Sequence, residues 1–160
     1  MSRLFEPLSL GPLRLENRII VAPMCQYSAT EGTPGDWHLI HLGHLALSGA
    51  GLLIIEATAV TPEGRISAQD LGLYSDANES GLARVLAAVR GHSPIPIALQ
   101  IAHAGRKASV RVPWKGGAQL SPQDPQGWQA EAPSAVPFQP GSHAPVALDA
   151  AGLELSLIHI

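Results

Sequence analysis

Three short apolar runs, separated by two stretches with helical spacing, constrain this chain more than any other feature. Arg18–Ala22, Leu52–Ile55 and Ile95–Ile101 are nearly continuous in apolar residues, as strands buried on both faces of a parallel sheet are. Between the first two, Asp36 stands where a helix N-cap belongs, the helix runs to about Ser48, and Gly49-Ala50-Gly51 ends it. Between the second and third, Asn78 or Ser80 opens a helix whose Leu82, Val85, Leu86 and Val89 share one face, and Gly91 ends it. Strand, helix, strand, helix, strand implies right-handed βαβ units and a parallel sheet. Ahead of them, Leu8-Ser9-Leu10 and Leu13-Arg14-Leu15 alternate around Gly11-Pro12, a hairpin signal. Periodicity stops after Ala104. Residues 105–147 are rich in Pro, Gly, Gln, Ser and Trp, and so long a loop is usually functional or disordered. Asp149 to Glu154 reads as the start of a third helix.

Composition narrows the class. The 160 residues are 46% hydrophobic with a formal net charge of -3, which is globular and gives no electrostatic footprint for nucleic acid. No apolar run reaches the roughly 18 residues of a membrane span. The N-terminus, through Phe5-Glu6-Pro7, has no apolar signal-peptide core. The single cysteine, Cys25, cannot form an internal disulfide. A cytoplasmic location is the expectation.

Reactive side chains gather just after each strand: Ala22-Pro23-Met24-Cys25-Gln26-Tyr27, Glu56-Ala57-Thr58-Ala59, and Gln100-Ile101-Ala102-His103-Ala104-Gly105-Arg106. A (β/α)8 barrel places its catalytic groups there, and an open doubly wound sheet binds ligands at the same strand ends, so spacing alone leaves both folds open. No G-x-G-x-x-G follows a strand and no P-loop occurs, which speaks against a nucleotide site of either kind. His38, His41 and His44 are no metal site. On a helix the outer pair lies about 120° apart, too widely spread for tetrahedral ligation.

Asn17 to Tyr27 resembles the first strand of the old yellow enzymes, and its Cys and Tyr are similar to the thermophilic-like bacterial subgroup that includes xenobiotic reductases. Asp36-Trp37-His38, Glu56 to Arg65 and His103-Ala104-Gly105-Arg106-Lys107-Ala108 match the family in the same order; Ala132 to Phe138 matches less tightly. The resemblance covers residues 3 to about 154. It implies α/β architecture: part of an FMN-binding (β/α)8 TIM barrel, roughly its first three βα units with an N-terminal hairpin. It implies an ene reductase, in which NADPH or NADH reduces FMN and the flavin passes hydride to an activated alkene. By the same resemblance Ala22, Pro23, Met24, Cys25, Ala59 and Gln100 bind the flavin and Tyr27 contacts substrate. Cys25 is expected near the flavin, tuning its potential, and the Gln100 amide at the pyrimidine edge. His103 and Arg106 are expected to shape their loop or pair with Glu56, and Trp114 and Trp128 to anchor the long loop or border the substrate mouth.

In this family a polar pair, usually two His, follows the fourth strand, with a tyrosine nearby as proton donor. The phosphate site follows strands seven and eight. Both are expected downstream, so no catalytic residue is assigned here. The chain alone is then expected to be inactive and poorly soluble, with open sheet edges. The intact protein is expected to be a homo-oligomer. Leu155 to Ile160 breaks the family pattern and is what one frame of a common transposon sequencing adaptor encodes, so 1–154 is read as barrel and 155–160 as a non-native tail. Two other readings stay open. One is a related FMN barrel, such as a dienoyl-CoA reductase or an amine dehydrogenase, decided by sequence beyond Glu154. The other is a non-enzymatic half-barrel module, which needs a genuine stop after Ile160.

Overall fold

A computed structural model describes residues 3–158, with side chains to residue 154. The chain opens with an antiparallel hairpin, β1 (Leu8–Leu10) and β2 (Leu13–Leu15), turned by Gly11 at φ +56°. The alternation around Gly11-Pro12 is thus a hairpin, as read, and Leu15 is its buried member.

The main sheet is parallel and centred on β4 (Leu52–Ala59). β3 (Ile20–Val21) pairs with the start of β4 through Ile20 opposite Leu52, and β6 (Ile97–Ala102) runs along its other edge. A short strand, β5 (Leu71–Gly72), pairs with the end of β4 through Thr58 opposite Leu71. The first strand is therefore shorter than the apolar run Arg18–Ala22, because Pro23 cannot extend the ladder. The second is longer than expected. Glu56 does not end it but sits inside it, at a register shift between Ile55 and Ala57. Such a bulge leaves one residue without a partner opposite and re-aims its side chain.

Helices α1 (Asp36–Ala46) and α2 (Asp76–Arg90) cover one face of the sheet. Leu42 and Ala46 from α1, and Leu82, Val85 and Val89 from α2, pack on Leu53, Ile55, Leu71 and Ile95. Both helices begin earlier than expected. Gly35, not Asp36, caps α1, and its N–H donates to Nδ1 of His38 at 3.2 Å. Ser75 caps α2 through its side chain, which accepts from the Asn78 N–H at 3.2 Å. Asn78 is instead buried, donating to the Glu31 carbonyl and to Thr33 Oγ1. A third helix, α3 (Ala150–Ile158), follows Asp149, whose Oδ1 accepts from the Gly152 N–H at 2.8 Å. The expectation for Leu155 to Ile160 falls partly outside the described residues.

Residues 105–147 are ordered by their own contacts rather than by periodicity. Ala108, Ser109, Val112, Leu120, Ala130 and Ala132 are buried, and β7 (Glu131–Ala132) pairs in parallel with β8 (Val146–Ala147). No helix among the described residues is long and apolar enough to cross a membrane.

Where α1 turns into β4, the backbone of Gly51 passes against Asn17. The Asn17 amide donates to the Gly49 carbonyl at 2.8 Å, and the Gly51 N–H donates to the Ile19 carbonyl at 2.8 Å. A Cβ on Gly51 would collide with the Asn17 carbonyl oxygen. Gly51→Ala is accordingly expected to cost about 1–3 kcal/mol, as overpacking does, read as a lower urea midpoint at unchanged slope.

Candidate functional site

The segment after β3 is bolted down from two sides. The Gln26 N–H donates to Glu56 Oε2 at 2.9 Å, and its side chain bridges the Met24 carbonyl (2.9 Å) and the Trp37 indole N–H (3.1 Å). The bulge turns Glu56 toward α1, where its Oε1 lies 3.4 Å from Nε2 of His38; both side chains are buried. Because Nδ1 of His38 accepts from Gly35, a neutral ring carries its proton on Nε2, facing Glu56. Glu56→Ala would leave the Gln26 N–H without its acceptor and remove the carboxylate 3.4 Å from His38 Nε2. The expected cost is about 1–3 kcal/mol of stability, measured by denaturant unfolding.

Tyr27 follows at φ +52°, a left-handed conformation that costs a non-glycine residue about 1–3 kcal/mol and collects at functional sites. Its ring meets Trp114 edge-on at 5.5 Å, and burial raises the pKa of its hydroxyl, which stays protonated as a donor.

Cys25 is half-buried beside two carboxylates. One ligand-type atom each from Cys25, Glu56 and Asp70 lies within 4.8 Å of the others. Burial first, then the charge of Asp70 and a hydrogen bond to it, push the thiol pKa up to about 12. Burial also raises Asp70, although the Ser67 N–H (2.7 Å) and hydroxyl (2.6 Å) both donate to its Oδ2.

The sheet face away from the helices is lined largely by small side chains. Residues paired across strands share a face, so Ala57 with Gln100 and Ala59 with Ala102 lie on it together, with Ala98 one step back. Ala59 is buried while the Gln100 side chain is exposed. Ala22 and Met24 are exposed and Pro23 half-buried, at the end of the neighbouring strand. Four alanines around one free amide, at the C-terminal ends of parallel strands, leave room for a planar ring and offer a group that both donates and accepts at its edge. These residues fit a flavin.

His103 and Arg106 do not reach Glu56. Nδ1 of His103 accepts from the Gly105 N–H at 3.1 Å, and Arg106 donates to Ser134 Oγ at 3.0 Å; both shape the loop after β6. Trp128 is the loop anchor. Its indole donates to the Glu63 carbonyl at 2.9 Å, its backbone N–H to Ser109 Oγ at 2.9 Å, and Arg65 lies 5.3 Å from its ring. Trp114, by contrast, is 66% exposed beside Tyr27. Of the three helix histidines, His38 is buried, His41 is half-buried against Trp37 with its pKa lowered by burial, and His44 is exposed. Sequence reasoning missed Asp70, Ser67 and Gln26. The Ser67-x-x-Asp70 spacing was the available signal, since an acid three residues after a serine can close a turn through its side chain.

The sequence profile of the NADH:flavin oxidoreductase / NADH oxidase family matches residues 3–142. An NADPH dehydrogenase of Bacillus licheniformis is 41% identical over 146 residues, 90% of this chain and 38% of its own length. An NADH:flavin oxidoreductase of Gibberella zeae is 39% identical over 88% of this chain and 34% of its own. Among solved structures, a morphinone reductase superposes with a TM-score of 0.74 at 34% identity, covering 96% of this chain and 42% of that one. The old yellow enzyme of Trypanosoma cruzi gives 0.72 at 32%, covering 98% and 45%. The chain thus spans well under half the length of these relatives, and its parallel α/β core is the partial barrel that the resemblance implied. With the parallel strand order and the family profile in agreement, this chain belongs to the NADH:flavin oxidoreductase / NADH oxidase family, whose chemistry runs on FMN and a nicotinamide nucleotide.

Proposed function

We propose that this chain supplies one wall of the flavin site of an FMN-dependent ene reductase. The observation that carries the reading is the exposed Gln100 amide on an alanine floor, level with Ala57 and across β4 from the Ala22–Cys25 strand end. When bound, FMN would accept hydride from NADPH or NADH and deliver it to an activated C=C bond. Gln100 would then hold the pyrimidine edge. The backbone of Ala22, Pro23 and Met24 would border the ring, with Cys25 beside it. Tyr27, braced by Trp114, would donate a hydrogen bond to the substrate's electron-withdrawing oxygen. The proton donor and the phosphate grip are not assigned to residues of this chain.

The test is anaerobic turnover of a simple cyclic enone with NADPH by the intact, FMN-loaded protein. Loss of the conjugated-enone absorbance supports ene reduction. An enone left untouched there, while the same protein oxidises NADPH in a matched aerobic assay, rejects it and leaves a flavin oxidoreductase of other specificity. Tyr27→Phe is expected to lower kcat/KM for the enone by about 3- to 10-fold, the worth of one hydrogen bond, with the flavin still bound.

A further inference from the structure

We propose that Asp70 is a positioning residue whose carboxylate takes the Cys25 S–H and keeps that thiol protonated and fixed in direction.

Asp70 is 1% exposed and sits at the start of β5, where the strand joins the end of β4. Its loop is held against the segment after β3: the Ala29 N–H donates to the Gln69 carbonyl at 2.9 Å, and the Gly72 N–H to the Gly32 carbonyl at 2.9 Å. Within the loop, the Asp70 N–H donates to the Ser67 carbonyl at 3.2 Å while both Ser67 donors converge on Oδ2. The carboxylate therefore cannot swing. Its other oxygen, Oδ1, is buried and has no hydrogen-bond partner, while the Cys25 sulfur lies within 4.8 Å of an Asp70 carboxylate oxygen. A buried carboxylate oxygen left in that condition is costly, so a donor is needed.

The groups facing Cys25 decide which donor that is. Asp70 comes from the β5 side, Glu56 from β4, and the Tyr27 hydroxyl from the thiol's own segment. Glu56 is an acceptor already engaged with the Gln26 N–H. Of the two donors, the thiol is the one within 4.8 Å of both carboxylates, and the Tyr27 hydroxyl makes no hydrogen bond to either; the two carboxylates also oppose ionisation of the thiol. The raised thiol pKa agrees with this geometry. Four residues of ordinary appearance, Ser67, Asp70, Glu56 and Cys25, thus form one device. It presents a neutral, oriented S–H at the strand end rather than a thiolate. That its beneficiary is the flavin rests on the reading given under Proposed function.

The test uses the FMN-loaded protein, in which Cys25 is this chain's single thiol. In Asp70→Asn the amide oxygen can keep the Ser67 donors while the NH2 group turns to sulfur, favouring thiolate. The pH midpoint of Cys25 alkylation by iodoacetamide is expected to fall by at least about one unit, a tenfold faster reaction at fixed pH. An unchanged midpoint in a variant that melts like the parent overturns the proposal. Should Asp70→Asn not fold, the unmodified protein decides. Its infrared S–H stretch is expected below that of a thiol without an acceptor, and a stretch at the free-thiol position overturns the proposal. A shifted midpoint together with a flavin spectrum unmoved by Cys25→Ser supports the Asp70 clamp and rejects only the flavin assignment of Cys25.

Discussion

Cys25 is expected to react with iodoacetamide at pH 8 up to about a thousandfold more slowly than a free cysteine, because each unit of raised pKa removes tenfold of its thiolate. The shift is from 9.0 to about 12, with burial the largest cause and Asp70 the next. The folded-state value lies above the unfolded one, so the protonated thiol favours the fold. That contribution is fully present below about pH 9 and is lost as the pH rises through about 12. Melting temperature is therefore expected to fall over this window, and to fall less in Cys25→Ser. An alkylation midpoint near 9 would contradict the buried environment described for this thiol.

Leu53→Ala is expected to cost about 2–5 kcal/mol, a large part of the stability of any domain. Leu53 is fully buried at the middle of the sheet. Its residue pairs with Val21 on one edge and Ile97 on the other, and its N–H donates to the Pro96 carbonyl at 3.0 Å. Its side chain belongs to the cluster that joins both helices to β3, β4, β5 and β6. A cavity there cannot close without moving either helix from the sheet. Urea unfolding should show the midpoint drop with little change in slope, whereas a loss below about 1 kcal/mol would mean the sheet centre is not the core.

What the sequence disclosed, and what it hid, follows from the range of the forces involved. The hairpin at Leu8–Leu15, the faces of Leu82, Val85 and Val89, and the parallel order of the strands depend on local periodicity and are visible in it. β5 is two residues long and exists because β4 offers it an edge, so no window of sequence reveals it. Glu56 looked like a strand end because an acid inside a buried strand is rare; the bulge and His38 make it tenable, and both are tertiary. Ser75 lost to Asn78 and Ser80 as a cap candidate because all three residue types suit that role, and only the fold shows Asn78 spent on Glu31 and Thr33. The alanine floor is legible once register is known. Asp70 is not, since its importance comes from a loop folding back onto Cys25 across a long stretch of chain.

The most direct test of the central claim is a crystal structure of the protein grown with FMN. The expected result places the isoalloxazine ring on the face formed by Ala57, Ala59, Gln100 and Ala102, with the Gln100 amide hydrogen-bonded to its pyrimidine edge and Cys25 beside the ring. A ring bound on the helix side of the sheet, or in the long loop away from Gln100, would contradict the assignment of this surface as the flavin wall.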